Sequence, residues 1–363
     1  MIYCKLYIYS TSEHISQLCT GFKLLEAQSK IELSYEFNAF SRGGRALLTD
    51  VRPYDLQGMF VEVNGDTTVF YDTTDGENLI TEALEVSDFY FKRSYRAEAI
   101  PDQYKHIVFP LGLNYEVYTG AFDKLEFSRF FSHRRNFKSP KELIKSAMRN
   151  IGLKYNPTIS NMHKPPENLR KPKVLFMART WDPDNYTGGF PSENRELWKN
   201  LCNNINKTRA KVISVLRKEL GQRFYGGFAQ NRYTTDNYKD LLLSNKLAST
   251  KRKYIDILHE YPICIATTGL YNSIGWKFGE YVAFSKAIVS EKLTYEVPGD
   301  FGPGKNYAEF STAEQCVEQA ITLFEDKDAR ELMMENNYRY YNEYLAPDKL
   351  VESTLERAVS GNL

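Results

Sequence analysis

The segment from Gly269 to Glu280, GLYNSIGWKFGE, contains residue types that could bind a phosphorylated ligand. Gly275 directly precedes a predicted helix, whose N-terminus would offer unpaired N–H groups and partial positive charge to an anion. The glycines allow a phosphate to approach the backbone closely. Lys277 would add a cation, and Glu280 could accept hydrogen bonds from both hydroxyls of a ribose. The alternative is that the helix dipole alone favours an acidic residue at Glu280, and that the glycines only form an ordinary loop before the helix.

The residues around this segment predict one βαβ unit. Strand PICIA precedes the loop, strand AIVS follows the helix, and a helix over 250–261 comes before them. Ligands bind outside the carboxyl ends of strands in an open parallel sheet. Arg179, after the apolar run VLFMA, is therefore a candidate for the same anion, unless it forms an ordinary surface ion pair. Lys253 in TKRKY could share the phosphate role or belong to a solvated helix face.

The stretch GLYNSIGWKFGEYVAFSKAIVS resembles the donor-site segment of GT-B glycosyltransferases, and the resemblance extends over roughly 251–324. In that family a glycine-containing loop leads to a helix with a Glu, then to a turn and a strand. Divergent bacterial members, including spore-protein glycosyltransferase-like proteins, are the most similar. The resemblance implies a donor site for a nucleotide sugar formed by Arg179, Lys253, Gly269, Asn272, Ser273, Gly275, Lys277 and Glu280.

One position departs from the family pattern. The retaining group related to glycogen and sucrose synthases has two glutamates separated by seven residues, and here the second is Glu280 while the first is replaced by Asn272. The donor sugar and the choice between retention and inversion therefore stay open.

The first half of the chain is expected to form the acceptor side of a cleft. Inverting GT-B enzymes often keep a histidine base after the first strand, and His14 occupies that place. Asp72 and Asp75 could orient such a base or bind acceptor hydroxyls, although Asp75-Gly76 is also an ordinary turn sequence. His14 could equally be a surface histidine near a helix start. The predicted catalytic residues are His14, Asp72, Arg179 and Lys277. The predicted acceptor-binding residues follow other strands: Arg42, Arg45, Asp75, Lys92, Arg93 and Asn114.

The length of 363 residues favours two domains. A proline-rich linker, NPTISNMHKPPENLRKPK, separates two regions in which short apolar runs alternate with helical patterns. We expect an α/β chain of GT-B type, with two Rossmann-like α/β domains that face a central cleft. Their predicted bounds are 1–160 for the acceptor domain and 161–345 for the donor domain, with a C-terminal helix at 346–363 that could pack back on the first domain.

Local patterns predict the individual elements. Asn64-Gly65 predicts a hairpin, and Ser10 and Glu13 have capping-box spacing at the first helix. The C-terminal region predicts two helices that break near Pro347. The predicted strands and helices are strands 2–9, 31–37, 59–63, 67–71, 88–91, 106–109, 174–180 and 223–228, and helices 193–220 and 250–261.

Composition limits the function classes. The 47 Lys and Arg against 46 Asp and Glu give a net charge of +1, so no global field would attract nucleic acid. Five cysteines without paired spacing indicate a reduced, cytoplasmic protein. The N-terminus lacks a signal-peptide pattern, and no apolar run is long enough to span a membrane, which leaves peripheral membrane contact possible.

The expected activity follows from the resemblance. A glycosyltransferase would transfer a sugar from a nucleotide-diphosphate sugar to a hydroxyl of a glycan, lipid-linked or other acceptor, in bacterial surface polysaccharide or glycoconjugate synthesis. No cofactor or metal is expected, because Asp182 and Asp184 lie in a long loop and GT-B enzymes use helix N-termini and basic side chains instead. Two alternatives remain: a nucleotide-sugar epimerase of the same fold, and a carbohydrate-binding or coat protein without catalysis.

Overall fold

The structure is a computed structural model that describes residues 1–120, 123–137, 139–153, 155–167, 172–185 and 194–361. The chain forms two compact units. The first unit contains Met1–His163, Thr294–Asp300 and Tyr340–Leu363, and the second contains Lys164–Leu293 and Phe301–Arg339. The predicted division into 1–160, 161–345 and 346–363 differs from these bounds in three ways. The first unit continues to His163, residues 294–300 belong to it, and the second unit ends at Arg339.

A six-stranded mixed sheet forms the centre of the first unit, in the order β2-β1-β5-β6-β7-β8. Only β5 runs antiparallel to its neighbours. β3 and β4 form a separate small hairpin. The strands are β1 (Ile2–Tyr7), β2 (Ile31–Glu36), β3 (Ser41–Arg42), β4 (Arg45–Ala46), β5 (Gly58–Val63), β6 (Thr67–Asp72), β7 (Phe89–Lys92) and β8 (Val108–Pro110).

The predicted hairpin explains why β5 is reversed. Asn64 and Gly65, between β5 and β6, have φ of 54° and 82°, the left-handed values that a tight hairpin turn requires. Alternate side chains along the strands face opposite sides of the sheet. Val61 and Tyr71 belong to one buried cluster, whereas Phe60 belongs to the other. The first unit therefore has apolar layers on both faces.

The helices of the first unit include α1 (Ser16–Ala27), α2 (Thr81–Leu84), α3 (Lys124–His133) and α4 (Pro140–Asn150). The predicted capping box at the chain's first helix is wrong. Ser12 accepts from the His14 backbone N–H and caps a short 3₁₀ turn, Glu13–Ile15, that precedes α1. The Ser10 hydroxyl instead donates to the carbonyl of Leu56, because it is buried beside that loop.

The second unit has a five-stranded parallel sheet in the order β10-β9-β11-β12-β13. Apolar side chains of its strands pack with α5 and α9 in one buried cluster. The strands are β9 (Val174–Ala178), β10 (Phe224–Phe228), β11 (Ile263–Ala266), β12 (Ala287–Glu291) and β13 (Ala308–Phe310). The helices are α5 (Arg195–Leu220), α6 (Arg232–Asn237), α7 (Lys251–Glu260), α8 (Trp276–Ala283), α9 (Ala313–Glu325) and α10 (Lys327–Tyr340).

The C-terminal helix α11 (Pro347–Ser360) packs on α1. A Cβ added to Gly21 would lie 2.1 Å from the Pro347 carbonyl oxygen, so this close approach requires glycine. Leu350, Val351 and Leu355 enter the buried cluster of the first unit's sheet. The predicted break near Pro347 is confirmed, because a π-helical turn over Tyr341–Leu345 separates α10 from α11. The chain's last helix is thus part of the first unit.

The mixed α/β class predicted from sequence is confirmed, since each unit has a central sheet flanked by helices. Within the second unit, β9 leads to β10 on one side, whereas β11 pairs with β9 on the other. The order of strands reverses between β9 and β11, which is a topological switch point. In open parallel sheets, ligands bind outside the strand ends at such a point.

Candidate functional site

The predicted donor residues of the second unit gather at this switch point. Arg179 directly follows β9, and Thr267 to Gly269 directly follow β11. Parallel strands place their carboxyl ends at the same edge of the sheet, so the two loops are neighbours. The helix α8 begins after Gly275 in the second of these loops. The backbone thus brings one arginine and one helix N-terminus to the same edge.

The loop between β11 and α8 is tightly folded. The Gly269 N–H donates to the Ser273 carbonyl at 3.0 Å and closes a short turn. Within it, Tyr271 and Asn272 have φ of 57° and 55°, in the left-handed region. Gly275 is exposed, and a Cβ there would meet no atom within 4 Å. The space at the start of α8 is therefore open to a ligand.

Lys277 lies under this loop and is surrounded by other cations. Its ammonium donates to the Met177 carbonyl and lies 5.4 Å from the centre of the Tyr254 ring. Burial lowers its pKa to about 7, and the positive charges of Arg179, Arg209 and Lys251 act in the same direction. Glu280 opposes the shift. Positive charge therefore exceeds negative charge around Lys277.

Arg179 is the accessible cation of this group, because its side chain is exposed at the end of β9. Among the described residues, no carboxylate forms an ion pair with it. An exposed guanidinium beside other cations can meet a ligand phosphate with several donors at once. Its position agrees with the role that the sequence predicts, but the role itself stays a prediction.

Glu280 lies one turn into α8 and is buried, with 3% of its surface exposed. Its carboxylate forms an ion pair with Lys251, the first residue of α7. Burial and the neighbouring Glu280 charge raise the pKa of Tyr254 well above its usual value. Lys251 and α7 thus hold Glu280 in place at the edge of the cationic group.

The sequence selected Lys253, but Lys251 is the cation that contacts Glu280. Lys253 points to solvent and lies 3.7 Å from Asp256 on its own helix. Residues two apart on a helix point in different directions, because successive side chains turn by about 100°. Lys253 therefore does not contact Glu280, and its exposed position agrees with the solvated helix face that the sequence left open, while phosphate binding by Lys253 stays a prediction.

Arg209 was not predicted, although it organises both loops. From α5 it donates to the Arg179 carbonyl at 2.6 Å, to the Thr268 carbonyl at 3.0 Å and to the Thr267 hydroxyl at 2.9 Å. Burial lowers its pKa to about 10, while the charge of Glu291 opposes the shift. An arginine within a long amphipathic helix carries no local signal of this role.

Glu291, at the end of β12, fixes the other side of the same loop. Its carboxylate accepts from the Thr268 N–H at 2.6 Å and from the Thr268 hydroxyl at 2.8 Å. Because both partners belong to Thr268, these bonds hold the loop backbone in one conformation. Arg209 and Glu291 are therefore positioning residues for the loop that leads to α8.

Asp72, a predicted partner of His14, forms hydrogen bonds within the edge of the first unit's sheet. Asp72 is fully buried and accepts from Lys92 at 3.0 Å, from the Thr74 N–H at 2.8 Å and from the Tyr90 hydroxyl. Lys92 is also fully buried and donates to the Thr74 hydroxyl at 2.7 Å. The two charges neutralise each other inside the sheet edge. Because both side chains are fully buried, neither presents a polar atom at the surface to an acceptor, and the role of Asp72 toward His14 stays a prediction.

His14 lies instead near Arg93, Asp75 and Glu13. Burial lowers its pKa to about 4, and the Arg93 charge adds to the effect, while Asp75 and Glu13 oppose it. Arg93 donates to Asp75 at 2.9 Å. His14 is thus neutral at pH 7, and its neighbouring carboxylates are Glu13 and Asp75, the second acid of the YDTTD segment.

The other predicted acceptor residues have diverse surroundings. Asn114 is buried and donates to the His14 carbonyl and to Gln17 Oε1, both at 3.1 Å, so it supports the backbone around His14. Arg42 and Arg45 are exposed on the β3–β4 hairpin, where Arg42 donates to the Val86 carbonyl. Acceptor binding by these residues stays a prediction.

Among the residues that the structure describes, no three His, Cys, Asp or Glu side chains form a group that could hold a metal ion. None of the helices they form is long and apolar enough to cross a membrane.

Solved glycosyltransferases and epimerases are among the structures to which the chain is similar. A glycosyltransferase from Rickettsia africae ESF-5 is 11% identical, with 95% of this chain and 81% of that one covered and a TM-score of 0.41. The Anabaena protein HepE in complex with UDP-glucose is 12% identical, with 93% and 89% covered and a TM-score of 0.41. A UDP-GlcNAc 2-epimerase from Neisseria meningitidis, bound to UDP-GlcNAc, is 13% identical, with 76% and 63% covered and a TM-score of 0.36.

No protein-family model matches the chain, and no curated protein matches it. These TM-scores are below 0.5 and the identities are low, so the likeness does not assign a function to the chain.

Proposed function

We propose that the protein is a glycosyltransferase that binds the diphosphate of a nucleotide-sugar donor at the carboxyl edge of the second unit's sheet. The observation that carries the proposal is the convergence of cations at the switch point. Arg179, Lys277 and Lys251 lie there with Arg209 beneath them and with the open N-terminus of α8 beside them. Such a site favours a ligand with several negative charges.

The electrostatics of Lys277 support a phosphate ligand. In the free protein its neighbours and its burial disfavour the charged ammonium, which is why its pKa falls to about 7. A bound diphosphate would supply the missing negative charge and favour the protonated form. The site thus becomes more stable electrostatically when an anion occupies it.

The proposed roles follow from exposure and contacts. Arg179, which is exposed, would contact the diphosphate directly. Arg209, whose donors are occupied by the two loops, would keep Arg179 and Thr268 in position. As the bond to the sugar breaks, negative charge grows on the leaving diphosphate, and fixed cations and helix N–H groups stabilise it. Turnover that persists in excess EDTA would support this metal-independent mechanism.

Glu280 is proposed to bind the donor ribose, with Lys251 as its positioning partner. A nucleotide would approach from the open side of Gly275, so its ribose would reach the first turn of α8. The acceptor is proposed to be a glycan or a lipid-linked hydroxyl compound of bacterial surface polysaccharide or glycoconjugate synthesis. The sequence resemblance, together with this site, supports that assignment.

The experiment has two stages. A thermal-shift panel of UDP, GDP, dTDP, CMP and ADP sugars identifies the donor, since a bound ligand stabilises the folded state. Calorimetry then compares Glu280→Gln with the wild type, and we expect a loss of about 1 to 3 kcal/mol in binding free energy. Glu260→Gln is the matched control, because Glu260 lies at the exposed end of α7 and pairs only loosely with Lys173, at 3.4 Å. Unchanged affinity in Glu280→Gln would remove the ribose role.

Product analysis separates the alternatives. Incubation of the donor without any acceptor should leave the sugar unchanged in a glycosyltransferase. A free epimerised product would identify an epimerase instead. Tight donor binding without turnover on any acceptor would identify a non-catalytic carbohydrate-binding protein.

A further inference from the structure

The helices α3 and α4 of the first unit expose an unusual amount of apolar surface. Ile144 is 59% exposed and Leu153, just after α4, is 71% exposed. On α3, the ring centroids of Phe127 and Phe131 lie 4.6 Å apart, and both side chains are exposed. The exposed apolar side chains of this surface are Phe127, Phe131, Ile144, Met148, Ile151 and Leu153.

The helix α4 buries polar side chains and exposes large apolar ones, unlike a typical helix on an aqueous surface. Ser146, Arg149 and Asn150 are its buried residues. Ile144, Met148 and the adjoining Ile151 are exposed, at the spacing of three and four that defines one helix face. Water alone would not favour this orientation, so the outward face indicates a surface that becomes covered.

Charge indicates what covers it. In the described part of 123–153, every exposed charged side chain is basic. The acids of this segment are withdrawn: Asp123 and Glu126 are buried, and Glu142 is partly buried beside the Tyr54 hydroxyl. The exposed cations are Lys124, Arg134, Arg135, Lys141 and Lys145, of which Lys145 is paired with Glu13.

We propose that the surface formed by α3, α4 and the adjoining described residues 134–137, 139 and 151–153 docks onto a lipid bilayer that contains anionic lipids. Apolar side chains would enter the interface, and the cations around them would meet lipid phosphates. A second copy of the chain is a poor occupant, because two basic surfaces would repel each other. An acidic protein partner would match the charge, but it would not by itself require six exposed apolar side chains, whereas a bilayer accepts both features. The proposal does not depend on the proposed donor site.

Co-sedimentation of the full chain with vesicles tests it. Vesicles of phosphatidylglycerol and phosphatidylcholine in equal parts should bind the protein, and vesicles of phosphatidylcholine alone should bind it much more weakly. The double variant Ile144→Gln, Met148→Gln should lose about tenfold or more in partition coefficient, since each apolar side chain gains free energy from burial. The matched control is Leu332→Gln, Leu247→Gln, which changes two exposed leucines of the second unit and should bind like the wild type.

A second pair of variants tests the cations. Arg134→Gln, Arg135→Gln should lower binding to the anionic vesicles by about tenfold or more, because each basic residue near a membrane surface contributes about a fivefold factor. Lys218→Gln, Lys246→Gln removes two exposed cations of the second unit and should have no effect. Raised salt should weaken wild-type binding, as screening reduces the attraction.

The outcomes are distinguishable. Circular dichroism spectra and melting temperatures establish that each variant is folded. We expect all of them to fold, because the substituted side chains are exposed. Equal binding to neutral and anionic vesicles, no binding to either, or unchanged binding of the Ile144 and Met148 variant would overturn the proposal. Light scattering that shows a dimer disrupted by that variant would identify a second copy as the occupant and overturn it as well.

Discussion

The carboxyl edges of the two sheets both carry charged side chains but arrange them differently. In the first unit Asp72 pairs with Lys92 at 3.0 Å with both side chains fully buried, and Arg93 pairs with Asp75 at 2.9 Å. In the second unit Lys277 has cations as its main charged neighbours, and Arg179 is exposed beside it. One edge is neutralised within the protein, and the other is not.

The difference shows which charges can serve a ligand. A pair such as Asp72 and Lys92, in which both side chains are fully buried and bonded to each other, is closed to a substrate, and removing one partner leaves the other uncompensated. A group of like charges at a helix N-terminus has the opposite property, because its repulsion is relieved only by an added anion. The sequence pattern alone does not distinguish the two edges, because charged residues follow strands in both units.

The largest expected effect tests the neutralised edge. Asp72→Ala should lower the free energy of unfolding by about 3 to 5 kcal/mol, because it leaves the Lys92 ammonium buried without its partner. Nucleotide affinity of the folded protein should not change. Urea unfolding and calorimetry measure the two quantities. Asp102→Ala removes an exposed surface pair with Lys105 and should change stability little.

A stable Asp72→Ala variant would show that the pair is not structural. A folded variant that no longer binds nucleotide would place Asp72 in the donor site and break the comparison between the two edges.

Arg179→Ala tests the cationic edge. It should lower kcat/KM by about 10² to 10³ and weaken donor binding at the same time, since a cation that faces the diphosphate acts in both the ground and the transition state. Stability should change little because the side chain is exposed. Lys218→Ala, which removes another exposed cation of the second unit, is the control. Normal donor binding in Arg179→Ala would move the diphosphate away from β9.

Much of the fold was predictable because its signals are local. The first strand, expected at 2–9, is β1 at Ile2–Tyr7, and the helix expected at 193–220 is observed at Arg195–Leu220, with residue 193 outside the described residues. Apolar alternation and short apolar runs fix such elements to within a few residues. The loop from Thr267 to Glu280 was found for the same reason, since its residues are contiguous in sequence.

The parts of the site that depend on distant contacts were not predictable. Arg209 reaches the loops from the middle of α5, 58 residues before Thr267. Lys251 rather than Lys253 meets Glu280, which depends on how α7 is rotated against α8. Asp72 looked like a partner for His14, but its hydrogen bonds to Tyr90 and Lys92 exist only because β6 and β7 are neighbours.

His14→Ala tests whether the first unit contributes to the reaction. Nucleotide affinity should stay nearly intact, and turnover should fall by about 10²-fold if His14 is the base. The pKa of His14, about 4, lies below the range best suited to base catalysis at neutral pH. In a retaining enzyme the donor phosphate takes the proton, and the turnover of His14→Ala would then hardly change. Initial rates and calorimetry measure both quantities, and lost donor binding would mean that the donor and acceptor units have been interchanged.

The smallest expected effect is the pH dependence of donor affinity, which comes from Lys277. Without ligand, its folded-state pKa of about 7 lies below the unfolded value of 10.5, so the unfolded state binds the proton more tightly and stability should rise with pH between these values. A bound diphosphate raises the pKa, and binding above pH 7 must therefore take up a proton. Affinity should fall by up to tenfold per pH unit from about pH 7.5 to 9, where the nucleotide phosphates are already fully ionised. Below about pH 7 the dependence should flatten.

Calorimetry in two buffers of different ionisation enthalpy measures the proton uptake, and Lys277→Arg, which keeps the charge without titrating, should abolish it. Proton uptake that persists in Lys277→Arg would assign the titration to another group. Lys277 would then be a structural residue, like Lys92 in the first unit.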